Sequence, residues 1–130
     1  MQSPFFAGAV VYAKDIGRVS RFYSELAGLP IVQQEPRLVV LESSAFQLVV
    51  VAMAPAIAAR VTISSPPVRR EDTAIKLCFA VPDIAAAREA AARLGGELNG
   101  PEREWELLGS RVCDGHDPEG NVIQVRARSL

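Results

Sequence analysis

Val10-Val11-Tyr12-Ala13-Lys14-Asp15-Ile16 is answered 68 positions later by Cys78-Phe79-Ala80-Val81-Pro82-Asp83-Ile84. In each copy an apolar run reads as a strand, and the aspartate after it is suited to cap a helix by accepting from first-turn N–H groups. Each copy then continues as a helical pattern to a glycine, Gly28 and Gly96, at the same offset. A half-length repeat of strand, cap and helix marks the chain as a duplicated module. Such a repeat decides architecture before any single residue does.

Working outward, Ile16, Val19, Phe22, Tyr23 and Leu26 form one apolar helical face, stopped by Gly28 and Pro30. Short strands are predicted over 30–34, 38–42 and 46–52, with turns at Glu35-Pro36-Arg37 and Ser43-Ser44. The first module is therefore βαβββ. The second repeats the plan: a strand over 75–81, an alanine-rich helix with Ile84, Ala87, Ala91 and Leu94 on one face, then strands near 97–98, 108–113 and 121–126. Pro101 to Leu107 reads as a short helical turn, and Asp117-Pro118-Glu119-Gly120-Asn121 as a turn. At 130 residues the chain supports one well-buried core, so it is read as a single α+β domain. Its two modules span about 5–53 and 73–127, joined by a Pro- and Ser-bearing linker over 54–72.

Lysine and arginine total 14 against 15 acidic residues, and Arg69-Arg70 is followed at once by Glu71-Asp72. No basic footprint for nucleic acid is present. Cys78 and Cys113 have no zinc or redox spacing, so both are expected as buried free thiols of a reducing compartment. Met1-Gln2-Ser3-Pro4 lacks the features of a signal peptide, and the longest apolar run, Leu48 to Ala59, is broken by Pro55 and too short to span a bilayer. The expectation is a cytoplasmic protein with no membrane partner. Nucleophile triads, Gly-rich phosphate loops and dinucleotide fingerprints are absent from the sequence.

Phe22-Tyr23-Ser24-Glu25-Leu26-Ala27-Gly28-Leu29 resembles the end of the first helix in the vicinal oxygen chelate superfamily. Asp117-Pro118-Glu119-Gly120-Asn121-Val122-Ile123-Gln124 resembles its last turn and strand. That superfamily includes glyoxalase I, bleomycin and fosfomycin resistance proteins and extradiol dioxygenases. The resemblance covers nearly the whole chain. It implies two βαβββ modules forming a curled mixed sheet around a cleft, assembled as a homodimer.

Family enzymes bind a divalent metal at one first-strand and one last-strand position per module. Carried over, these fall on Gly8, Gln47, Lys76 and Gln124. Glycine offers no side-chain donor, a lysine ammonium repels a cation, and amide oxygens are weak neutral ligands. Shifting the first-strand positions by one residue yields only Ala7, Ala9, Ile75 or Leu77. No metal and no other cofactor is expected, which argues against glyoxalase I, fosfomycin-transferase and dioxygenase chemistry.

The resemblance then implies a metal-free pocket that binds or sequesters a small organic molecule. Lys76, Gln47 and Gln124 should point inward and supply polar contacts. Tyr12 and Trp105 would supply stacking surfaces. Cys78 shares the parity of Lys76 but reads as core packing. His116, the only histidine, is expected on the loop before Asp117, and the charges of Glu102 to Glu106 as a solvated face. Lys76 and His116 are the catalytic candidates under the alternative reading, a divergent lyase or isomerase, or a metal-dependent enzyme of the glyoxalase or dioxygenase type. A third reading is an interaction module without a pocket.

Overall fold

The computed structural model describes residues 6–129. The chain divides into two compact units, Met1–Thr62 and Ile63–Leu130.

In the first unit the order is β1 (Ala7–Ala13), α1 (Ile16–Ala27), β2 (Ile31–Glu35), β3 (Leu38–Glu42), β4 (Phe46–Ala52) and a one-turn helix α2 (Pro55–Ala58). The strands form a mixed sheet in the order β1-β4-β3-β2, with β1 parallel to β4 and the other pairs antiparallel. Helix α1 starts where Asp15 accepts from the Arg18 amide at 3.0 Å and ends at Gly28, whose φ of 67° is the left-handed turn that glycine adopts without a Cβ penalty. Its Val19, Phe22, Tyr23 and Leu26 are buried on one face of the sheet, whose buried contributions are Val39, Leu41, Leu48 and Val50. The rings of Phe22 and Tyr23 meet edge to face at 5.2 Å.

The second unit runs β5 (Leu77–Ala80), α3 (Ile84–Arg93), β6 (Glu97–Leu98), a 3-10 turn (Pro101–Arg103), β7 (Trp105–Leu107), β8 (Ser110–His116) and β9 (Val122–Arg128). The sheet order is β5-β9-β8-β6, with β7 also on β8 and β5 parallel to β9. Asp83 caps α3 by accepting from the Ala86 amide at 3.0 Å. Ile84, Ala87 and Ala91 are buried where α3 packs on β6 and β9, above Val125 and Leu98.

The βαβββ plan of the first module and the strand–helix start of the second stand as read. The second module departs from its plan by one strand. Pro101 to Leu107 is not a helical turn throughout: only Pro101–Arg103 coils, and Trp105–Leu107 pairs with Val112, Arg111 and Ser110 as β7. Its β5 is also shorter than 75–81. The linker is more structured than its composition implies, since it holds α2, and Arg70 bridges to Asn121. No helix among the described residues is long and apolar enough to cross a membrane.

The turn between β8 and β9 is fixed by Asp117, which is fully buried. Its Oδ1 accepts from the amides of Glu119 at 2.8 Å and Asn121 at 3.0 Å, and its Oδ2 from the Asn121 side chain at 2.8 Å. Gly120 has φ 87°, and a Cβ there would lie 2.1 Å from the Val68 carbonyl oxygen, a backbone atom that cannot swing aside. Gly120→Ala therefore combines left-handed strain with a backbone clash. It should cost more than about 2 kcal/mol, read as a lowered urea midpoint; a loss under about 0.5 kcal/mol would contradict this packing.

Candidate functional site

One face of each sheet carries its helix, and strand alternation places the other set of residues on the opposite, open face. In the first unit that open set has three rows by strand register: Gly8, Gln47 and Glu42; Val10, Val49 and Val40; Tyr12, Val51 and Leu38. Tyr12 is 63% exposed, whereas Gln47 is half-buried and donates its amide to Glu42 Oε1 at 2.7 Å. The apolar character of this face is supplied by valines rather than by stacked rings.

The second unit's open face is more polar. One row holds Cys78, Gln124 and Asp114; the next holds Ala80, Arg126, Val112 and Trp105. Lys76, two residues ahead of Cys78, reaches back so that Nζ lies 3.2 Å from Asp114 Oδ2. Gln124 donates to Asp114 Oδ1 at 3.1 Å, and its own Oε1 accepts from Arg126 Nε at 2.8 Å. The Cys78 thiol lies 3.6 Å from that same oxygen. Lys76, Asp114, Gln124 and Arg126 thus form one continuous polar chain, and each group orients the next. Trp105, 40% exposed, stands across Val112 from Arg126.

Of the residues singled out from the sequence, Lys76, Gln124 and Trp105 share this face, while Tyr12 and Gln47 share the open face of the first sheet. Asp114 and Arg126 escaped sequence reasoning. A signal for both existed: Asp114 directly follows the apolar pair Val112-Cys113, and Arg126 follows Gln124 at the two-residue spacing of one strand face. Cys78 corrects an expectation, being exposed on the open face rather than packed in the core; Cys113 is buried. The cause is parity, since Cys78 alternates with the helix-facing Phe79.

His116 also departs from its expected loop. It is the last residue of β8 and only 4% exposed, because pairing with Glu97 extends the sheet to it. Its Nδ1 lies 2.8 Å from the Asp117 carbonyl oxygen; a carbonyl only accepts, so Nδ1 carries the proton. The ring presents Nε2, 3.6 Å from Glu97 Oε1, into a cleft of about 440 Å³ that Arg69 and Asn99 also line. Arg69 itself is taken by Asn99 at 2.8 Å. No hydrogen bond or ion pair joins His116 to the Lys76 chain among the described residues.

A larger cleft of about 630 Å³ lies beside the start of α3. Four of its charged side chains pair with one another: Glu104 pairs with Arg88 and with Arg111 Nε at 3.1 Å, and Arg111 approaches Glu106 at 3.7 Å. Glu104 therefore does not belong to a solvated face. Its side chain is 11% exposed, because it sits between the 3-10 turn and β7 and reaches Arg88 of α3 and Arg111 of β8. Burial pushes its carboxyl up, but hydrogen bonds and charge from Arg88 and Arg111 outweigh this and hold it below the usual carboxylate range. Burial pushes the Cys113 thiol up, and Arg88 beside it offsets this only in part.

The four positions that would hold a metal by resemblance do not fit one. Gly8 has no donor, Lys76 is committed to Asp114, the Gln47 amide to Glu42, and the Gln124 oxygen already accepts from Arg126. Among the described residues no three His, Cys, Asp or Glu side chains converge.

Residues 8–126 match the family model described as a glyoxalase-like domain. Solved structures share the fold. A glyoxalase/bleomycin resistance protein/dioxygenase family enzyme from Burkholderia phytofirmans matches at TM-score 0.66 and 18% identity, covering 93% of this chain and 96% of that one. A protein of unknown function from Agrobacterium tumefaciens matches at 0.64 and 27%, covering 96% and 94%. An antibiotic-binding protein from a Streptomyces species matches at 0.59 and 21%, covering 99% and 97%. No curated protein matches the chain.

Two outcomes follow from the geometry. A group whose folded-state pKa is depressed adds stability above its unfolded pKa and loses it as pH falls through the folded value. Wild type should therefore exceed Glu104→Gln in stability at neutral pH, and the gap should shrink as pH falls from about 5 to about 3; a pH-independent gap in urea melts would contradict the paired carboxylate. With a maleimide, one thiol per chain, Cys78, should label under native conditions and two in denaturant. Native labelling of both would contradict the burial of Cys113.

Proposed function

The chain belongs to the glyoxalase-like domain family, and from that premise we propose that it binds or sequesters a small organic molecule without a metal. The observation that carries this reading is the Lys76–Asp114–Gln124–Arg126 chain on a sheet face left open by its helix, with Trp105 on the same face. Polar groups held by one another beside an aromatic surface are what fixes the orientation of a small ligand. The Streptomyces protein of the same fold is described as an antibiotic-binding protein, which supports the same use here. At the family's metal positions Gly8 has no side chain, Lys76 is paired with Asp114 and the Gln124 oxygen accepts from Arg126, which favours binding over metal-assisted chemistry.

In this reading Lys76, Trp105 and Gln124 contact a ligand on the second sheet's open face, and Tyr12 and Gln47 offer ligand contacts on the first sheet's. The protein works as a homodimer in the reducing cytoplasm, where Cys78 stays a free thiol. Native mass spectrometry with elemental analysis, on protein purified without chelator, tests all of this together. The expected result is twice the 14.0 kDa chain mass, no stoichiometric transition metal, and a retained organic mass or an empty dimer that takes up ligands in a screen. One zinc, nickel or iron per chain would overturn the metal-free reading, and a single-chain mass would overturn the dimer.

A further inference from the structure

We infer that the ligand of the second sheet's open face is an aromatic molecule bearing a carboxylate, which the Arg126 guanidinium grips while the ring lies against Trp105. This rests on the small-molecule reading above and narrows it to a chemical class.

The argument begins with how the charges on that face are spent. Asp114 uses one oxygen on Lys76 and the other on Gln124. Lys76 is thereby neutralised by its partner. Gln124 has its oxygen on Arg126 Nε and its nitrogen on Asp114, so its amide orientation is fixed from both ends. Within this cluster Arg126 is the cation left with unused capacity: among the described residues its guanidinium makes the Nε bond to Gln124, and the two terminal nitrogens have no protein partner. With Lys76 and Arg126 against Asp114, the cluster carries one net positive charge. A carboxylate is planar and accepts two parallel N–H bonds, which a guanidinium fork supplies and an ammonium does not.

Position then sets the rest of the ligand. Arg126 is half-buried, and the Nε bond to Gln124 holds the fork in one direction, so less side-chain freedom is lost on binding. Trp105 and Arg126 flank the fully buried Val112, two strand spacings apart, or roughly 10 Å between Cα positions. A ring system with one acidic substituent spans that row, acid on the arginine and ring on the indole. A cationic ligand would meet the net positive charge, and a neutral one would leave the fork without a partner while removing it from water.

Naphthoate and naphthamide, equal in ring and differing in the acid, are the probes. Calorimetric titration at physiological salt gives the two affinities. Trp105, the only tryptophan, gives a single indole N–H resonance that reports where the probe sits. Naphthoate should bind at least about tenfold tighter than naphthamide, and both should shift the Trp105 resonance. In Arg126→Gln the preference should fall below about threefold with naphthamide affinity unchanged. In Arg126→Lys, which keeps the charge and loses the fork, an intermediate preference is expected.

Equal affinity for the two probes in the wild type, or a preference that survives Arg126→Gln, would overturn the carboxylate inference while leaving the small-molecule reading standing. Absence of binding by both probes, with the Trp105 resonance unmoved, would count against the inference and the reading together. Should the glutamine variant not fold, the wild-type comparison and the lysine variant decide the matter alone.

Discussion

A single buried carboxylate organises the second unit. Asp117 is withdrawn from water, which is tolerable only because three N–H donors meet it at once, two from the backbone of its own turn and one from Asn121. Those bonds set the reversal between β8 and β9, and the reversal sets their register. From that register come the opposition of Asp114 to Gln124 and of Val112 to Arg126. The same residue's carbonyl holds the ring of His116. The polar chain on the open face is thus a consequence of how one turn is satisfied, three or more residues away from it on either strand.

The family plan and this chain's side chains use the same positions for different physics. Where a divalent ion would organise carboxylates and imidazoles by strong, directional coordination, the present set relies on mutual hydrogen bonds among an ammonium, a carboxylate, an amide and a guanidinium. Such a chain leaves one fork outward. It also leaves Gly8 as a gap in the first sheet's open face, with Gln47 drawn toward Glu42. On the proposed reading, orientation takes the place of coordination, and oriented dipoles with an outward guanidinium serve recognition.

Much of this was legible in the sequence because its signals are local. The two capping aspartates, the helix-ending Gly28 and the Asp-Pro-Glu-Gly-Asn turn all act within a few residues, and each forms where expected. Lys76 and Gln124, singled out through the resemblance, both reach Asp114. What escaped depends on strand partners distant in sequence. Trp105 sits in a charged stretch and pairs as β7 only because β8 offers it an edge. Glu104 looks solvated until Arg88, sixteen residues earlier on α3, is brought against it. Cys78 and Asp114 follow the same logic, since exposure and partnership are decided by which face the helix covers.

In both units the opening strand is attached in a way that shapes how the chain comes together. β1 is held by β4 and β5 by β9, each in parallel, whereas the strands between are joined to near neighbours as hairpins. Closing Ala7 onto Phe46, or Leu77 onto Ile123, spans most of a unit, so its loop entropy comes due before any ladder bond is gained. The hairpins are therefore the early structure and the opening strands the late arrivals. On the reverse path these strands detach first, which bares the flanks of β4 and β9, the very strands that carry Gln47 and Gln124. A ligand bridging an opening strand to its partner would act as a clasp on the seam that closes the longest loop, coupling occupancy to resistance against local unfolding.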